Sequence, residues 1–165
     1  GDEIEIKPGR LVEEKNQKKW KSITSKITEL HAGGSSLKEI VPGGSVAMQT
    51  GLDPFLVKSD SLVGALAGHV GKLPPLWEKL SLEPHLMKRV VGTKDELTVD
   101  AIKMNEILML NVNSAATVGT VVKVGKKLVE LNLKLPVCAE KGSRVTISRR
   151  IGNRFRLIGY GIIQG

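Results

Sequence analysis

Apolar and β-branched residues along this chain fall in short alternating runs. They read "EIEI", "SITSKITEL", "SVAMQT", "LVGALAG" and "WEKLSL", then "ILMLNVN", "TVGTVVKV", "KLVELNL", "RVTISRRI" and "RFRLIGYGII". A period of two puts successive side chains on opposite faces of a half-buried strand. Turn formers separate the runs: Pro8-Gly9, Gly33-Gly34, Pro42-Gly43-Gly44, Asp53-Pro54, Gly92, Gly125, Pro136, Gly142 and Gly152-Asn153. Many short strands at this spacing predict an all-β sandwich or barrel. One stretch, "HLMKRVVGTKDEL", has helical character broken by Gly92 and predicts a loop with a turn of helix.

Near "HVGKLPP" the strand pattern pauses at Gly71 and Pro74-Pro75 and restarts at Trp77, which predicts a domain boundary. Residues 1–71 and 72–165 are each about the size of a small closed barrel. The first half has few strands for a barrel and opens abruptly into "DEIEIKPG". The expected fold is therefore two consecutive small β-barrels, the first lacking its opening strands and presenting an unpaired edge.

Charge is uneven. Residues 1–82 carry 11 Lys/Arg against 10 Asp/Glu, whereas residues 83–165 carry 14 against 7, so nearly all of the net +8 belongs to the second half. A polyanionic partner is expected to favour that half. The single cysteine, Cys138, excludes an internal disulfide framework and fits a reducing, cytoplasmic setting. No apolar run approaches a membrane span, so no membrane partner is expected.

Enzyme chemistry is hard to find. A phosphate-cradling P-loop needs Gly-Lys followed by Ser or Thr, and neither Gly71-Lys72 nor Gly125-Lys126 has one. His31, His69 and His85 are far apart, Cys138 has no partner at zinc spacing, and no serine sits in a nucleophile elbow. No catalytic, cofactor-binding or metal-binding residue is assigned. Asp53, Asp60 and Asp100 lie beside turns, where aspartate caps backbone amides. Only five aromatics occur, so a basic surface here is expected to meet the backbone of a folded RNA rather than stack bases. Trp77 and Phe155 are expected in the core.

The terminal segment "RVTISRRIGNRFRLIGYGII" holds five arginines and no acid. If Gly152-Asn153 is a two-residue turn, Ile151 pairs with Arg154, and Arg149 lies opposite Arg156 on one face with Val145, Ile147, Ile158 and Tyr160. Directly opposed like charges are destabilising. Relief must come from an internal carboxylate, solvent, a partner's acid or phosphate.

Taken together, "GDEIEIKPG", "VPGGSVAMQTGLDPFLVKSDSLVGALAG", "LMKRVVGTKDEL", "NEILMLNVNSAATVGTVVKV" and "LPVCAEKGSRVTISRRIGNRFRLIGYG" resemble, in order, the gamma subunit of archaeal and eukaryotic translation initiation factor 2. More distantly the chain is similar to the second and third domains of elongation factor Tu. The resemblance implies a translational GTPase whose GTP- and Mg²⁺-binding domain lies upstream, so this part is expected not to be an enzyme. It also implies methionyl initiator tRNA, alpha and beta subunits and the small ribosomal subunit as partners. The short "VVGTKDELTV" points to an archaeal-like version. By position, Met48, Gln49, Thr50 and Gly51 match the neighbourhood of the tRNA aminoacyl end, although Ala47-Met48-Gln49 stands where Gly-Val-Gly is usual. The loop containing Pro8, Gly9, Arg10, Lys18, Lys19 and Trp20 matches the expected docking site of the alpha subunit. Arg149, Arg150, Arg154 and Arg156 match the family's basic terminal strands, in contact with RNA or with an acidic neighbouring domain. Two alternatives are the barrels of another such factor, for instance the selenocysteine-specific one, and a generic basic RNA-binding barrel.

Overall fold

In the computed structural model, which describes residues 1–92 and 97–165, the chain divides into two compact units, Gly1–Leu73 and Pro74–Gly165. The division falls two residues after the expected boundary.

The second unit is a closed barrel built from β6 (Leu76–Leu86), β7 (Ile107–Val112), β8 (Ala115–Val124), β9 (Val129–Cys138), β10 (Arg144–Ile151) and β11 (Arg154–Ile163), after β1 to β5 of the first unit. The strands close in the order β10-β11-β6-β9-β8-β7, all neighbours antiparallel. Closure follows from the alternation seen in the sequence. In β7, Leu108, Leu110 and Val112 point into the core while Ile107 and Asn111 face out. Every strand contributes to one apolar interior containing Leu80, Leu82, Val121, Leu131, Val145, Ile147 and Ile158. Close approach also has a steric requirement. A Cβ on Gly159 would lie 2.3 Å from the carbonyl oxygen of His85, so only glycine lets β11 pack this tightly on β6. Trp77 packs against the core as expected and donates from Nε1 to the carbonyl of Ala139 at 2.8 Å. Phe155 is instead half-buried outside the core cluster.

The first unit is an open, curled sheet. Its strands are β1 (Glu3–Glu14), β2 (Gln17–Ala32), β3 (Ser35–Ser36), β4 (Ala47–Thr50) and β5 (Leu66–His69), in the order β3-β2-β1-β5 with β4 also pairing β2. Its buried core is small: Ile4, Ile6 and Ile23, with Ile27, Leu52, Leu62 and Ala65 packed against them. "DPFLV", within a region expected to be strands and turns, forms a single helical turn, α1 (Pro54–Val57). Asp53 caps it, its carboxylate accepting from the amide of Phe55 at 2.9 Å. The helical turn expected in residues 85–97 is not formed among the described residues: β6 runs through Leu86, and Arg89 bridges to Thr98. Residues 93–96 of that stretch, and with them most of "GTKDEL", lie outside the described residues.

A buried acid closes the end of this unit. Glu5 is 8 % exposed, and its carboxylate accepts from the amide of Gly71 at 3.1 Å, with the Lys7 ammonium 3.8 Å away. The Gly71 hydrogen bond, aided by Ser22 and Lys7 against the cost of burial, holds the Glu5 carboxyl below its ordinary value of 4.5. A group with a lowered folded pKa stabilises above its unfolded value and loses that contribution as pH falls through the folded one. Glu5→Gln is therefore expected to be less stable than wild type at about pH 7, with the gap closing as pH falls below the ordinary carboxyl value of 4.5. Denaturant melts across that range test this, and a pH-independent gap would contradict it.

Candidate RNA and partner interface

The terminal hairpin has the expected register. Ile151 pairs with Arg154, Arg150 with Phe155, and Arg149 with Arg156. Gly152 supplies φ 58° at the first turn position, the place that type II′ hairpins give to glycine. The opposed arginines part company. The Arg149 guanidinium turns to Glu106, its Nε donating to Oε1 and its Nη2 to Oε2 at 3.1 Å. It also donates to the carbonyls of Asp100 at 3.0 Å and Ala101 at 3.2 Å. With side chains only 17 % and 16 % exposed, Arg149 and Glu106 form a bidentate pair sheltered from solvent. Arg156, half-buried, lies against the backbone of Gly92, where a Cβ would meet its Nη1 at 2.9 Å.

Glu106 is thus the internal carboxylate that the opposed charges called for. Nothing in the local sequence marked it. Its Oε2 also accepts from the amide of Lys103 at 2.9 Å, tying the turn before β7 into the same cluster. Beside this clamp an open cleft of about 410 Å³ is bordered by Lys103, Met104, Ile107 and Arg150. Arg150 and Arg154 remain exposed, and among the described residues Arg150 donates only to the carbonyl of Gly152, at 3.3 Å. Of the four arginines assigned from the sequence, one is spent internally, one is half-covered and two are open to solvent.

Tyr160 does not share the face of Arg149 and Arg156. Ser148 pairs with Leu157 but Ile147 with Gly159, so Ile158 is an extra residue that shifts the alternation. Tyr160 consequently points outward, stacked on His85 with ring centroids 4.8 Å apart, and the Arg144 guanidinium sits 4.4 Å from its ring centre.

In the first unit, Met48, Gln49 and Thr50 form β4, opposite Leu30, Glu29 and Ile27 of β2. Met48 borders an open groove of about 520 Å³ together with Ile4, Ile27, Leu30 and Val46. Gly51 follows at the strand's end, its amide donating to Lys26 at 3.2 Å. Pro8, Gly9, Arg10, Lys18, Lys19 and Trp20 lie not on a loop but on a two-stranded ribbon, with a register shift between Ile6 and Arg10. β1 and β2 run antiparallel to a two-residue turn at Lys15-Asn16, both with positive φ. Gly9 is there for backbone geometry: φ is 80° and a Cβ would lie 2.1 Å from the carbonyl oxygen of Lys21.

The amide of Gly71 is taken by Glu5 and that of Gly125 by the carbonyl of Leu128. Among the described residues no group of three or more His, Cys, Asp or Glu could hold a metal ion.

Comparison with known proteins first gives the fold: the bacterial selenocysteine-specific elongation factor EF-Sec superposes on 99 % of this chain, and on 22 % of its own, with a TM-score of 0.67 at 16 % identity. Residues 78–163, just over half the chain, match the family described as initiation factor eIF2 gamma, C terminal. The translation initiation factor 2 gamma subunits of Thermococcus kodakarensis and Pyrococcus furiosus are each 54 % identical over 99 % of the chain, and that of Methanococcus vannielii is 55 % identical. The chain belongs to the family of the gamma subunit of translation initiation factor 2, and it spans 40 % of the length of these relatives.

If Arg149 is structural, Arg149→Ala and Glu106→Ala are each expected to cost about 1.5–3 kcal/mol, the range for hydrogen bonds to charged groups. The double variant should lose little more than either alone, giving a coupling energy above about 1 kcal/mol. Additive losses in denaturant melts would contradict the clamp.

Proposed function

We propose that this chain supplies the tRNA, subunit and ribosome contacts of a translation initiation factor 2 gamma subunit, working in the cytoplasm. In this reading an upstream domain binds GTP and Mg²⁺ and carries the GTPase chemistry, while the two units described here bind and position. The partners are methionyl initiator tRNA, the alpha and beta subunits and the small ribosomal subunit. The observation that carries the reading is the family match together with surfaces suited to such contacts. Arg150 and Arg154 project from the terminal hairpin with no acidic partner among the described residues, the Met48 groove is largely apolar with Asp2, Lys38, Glu39 and His69 on its border, and the β1–β2 ribbon stands clear of further strands.

The four terminal arginines divide their labour. Arg150 and Arg154 meet phosphate, Arg156 contributes from the half-covered side, and Arg149 holds the strand in place. The Met48, Gln49, Thr50 and Gly51 segment lies near the aminoacyl end of the tRNA. The aliphatic lining beside Met48 suits a methionyl side chain, since a thioether packs well against apolar surface of irregular shape.

The test uses the full-length gamma subunit with its partners. Arg150→Glu and Arg154→Glu are expected to weaken binding to the small ribosomal subunit or to initiator tRNA. Each should also reduce the slope of log K against log salt by about one, as for a lost phosphate contact. Unchanged affinity and slope for both variants would remove the hairpin from the RNA interface.

A further inference from the structure

On the outside of the barrel one row of side chains crosses four strands. Asn111 of β7 pairs with Thr146 of β10, Thr146 with Tyr160 of β11, and Tyr160 with His85 of β6. Directly paired residues of an antiparallel ladder share a face, and Asn111, Thr146 and His85 are exposed, so the row looks outward. Its Tyr160 end is stacked. The His85 ring lies parallel to that of Tyr160 at 4.8 Å, and the Arg144 guanidinium lies 4.4 Å from the Tyr160 ring centre. Arg144 belongs to β10 and His85 to β6, the two strands flanking β11, so they cover opposite faces of the Tyr160 ring.

The column Arg144–Tyr160–His85 stops at His85. β9 pairs with β6 only as far as Leu82, opposite Val129, so among the described residues no strand lies beyond Glu83 to Leu86 on that side. The His85 side chain is 43 % exposed, and its ring face turned away from Tyr160 has room for one more planar group. Beside that place stands an acceptor. Glu83, two residues before His85 and therefore on the same face, holds Oε1 3.6 Å from His85 Nε2, while its Oε2 accepts from Gln164 Nε2 at 3.2 Å. A carboxylate so placed keeps lone pairs for further donors.

We propose that His85 is a stacking platform for an unpaired RNA base, and that guanine is the base whose edge fits Glu83. Looped-out bases are recognised by stacking on aromatic rings and by hydrogen bonds to their Watson–Crick edges. Guanine presents two adjacent N–H donors on that edge, which match one carboxylate, whereas the other three bases set an acceptor beside each donor. Arg144 has no acidic partner among the described residues and supplies positive charge for the sugar-phosphate backbone. A protein arginine is the planar rival, since it also stacks and donates in pairs, but the uncompensated Arg144 in the same column disfavours a second cation. The inference rests on the reading that this chain contacts RNA. It adds a contact away from the hairpin arginines, one that reads a base instead of a phosphate.

Fluorescence anisotropy of the full-length gamma subunit with labelled single-stranded RNA decamers, one all-uridine and one with a single central guanosine, tests it. The guanosine decamer is expected to bind about ten-fold more tightly. His85→Ala should weaken its binding about five-fold or more, and His85→Phe should retain it, because Phe keeps the ring. Glu83→Gln should remove most of the guanosine preference while the all-uridine decamer binds as before. Repeating His85→Ala with initiator tRNA and with the small ribosomal subunit identifies the RNA, and weaker binding to either supports the proposal. If His85→Ala changes none of these affinities while Arg150→Glu and Arg154→Glu do, the RNA reading stands and the platform falls. If none of the variants alters RNA binding, the RNA reading falls as well. If His85→Ala spares RNA but weakens binding of the alpha or beta subunit, the face serves a protein and the inference is overturned.

Discussion

The closed barrel depends on how two opposed arginines are accommodated. Strand pairing puts Arg149 and Arg156 side by side, which repels, and the fold meets this by giving Arg149 a carboxylate of its own. Sheltering two charges costs desolvation, so the Glu106–Arg149 pair is a weak source of net stability. Its value is geometric. The same carboxylate fixes the turn before β7 through Lys103, and the same guanidinium fixes the Asp100–Ala101 backbone. One ion pair thus ties a loop to a strand, while Arg150 and Arg154 of the same hairpin stay exposed.

That arrangement divides the basic strand pair into parts with different physical roles. Arg149 acts inward, on the barrel. Arg156 lies along Gly92, and Arg150 and Arg154 meet solvent. In the ribbon of the first unit Arg10 lies opposite Lys21, and there the nearby acid is Glu14, 3.9 Å from Lys21 with both side chains largely in solvent. The contrast is between a charge pair sheltered inside the fold and one left in solvent.

Much of this was legible in the sequence. Strict alternation in "ILMLNV" and "TVGTVV" specifies which side chains fill the barrel, and Gly152-Asn153 specifies the hairpin register down to the opposed arginines. Other features were not legible, for physical reasons. The bulge at Ile158 is set by β11 pairing with β6 and β10 together, and it moved Tyr160 to the outer face. Glu106 lies 43 positions from Arg149, a contact that only barrel closure creates. The family resemblance reads the ribbon at Pro8 to Lys21 as a loop, with a turn at Pro8-Gly9 and none marked at Lys15-Asn16. In the structure the first makes a register shift inside a strand and only the second makes a turn. At Pro54–Val57 the turn marked by Asp53-Pro54 is a single helical turn capped by Asp53, too short for a helical period to show in the sequence.

The most direct test of this division is NMR of the arginine side chains in full-length gamma subunit, observed with and without initiator tRNA. The account predicts that the Arg149 Nε proton exchanges slowly with solvent and keeps its position when tRNA binds, while the Arg150 and Arg154 signals exchange fast and shift. An Arg149 signal that exchanges freely and responds to tRNA, with Arg150 and Arg154 silent, would contradict it.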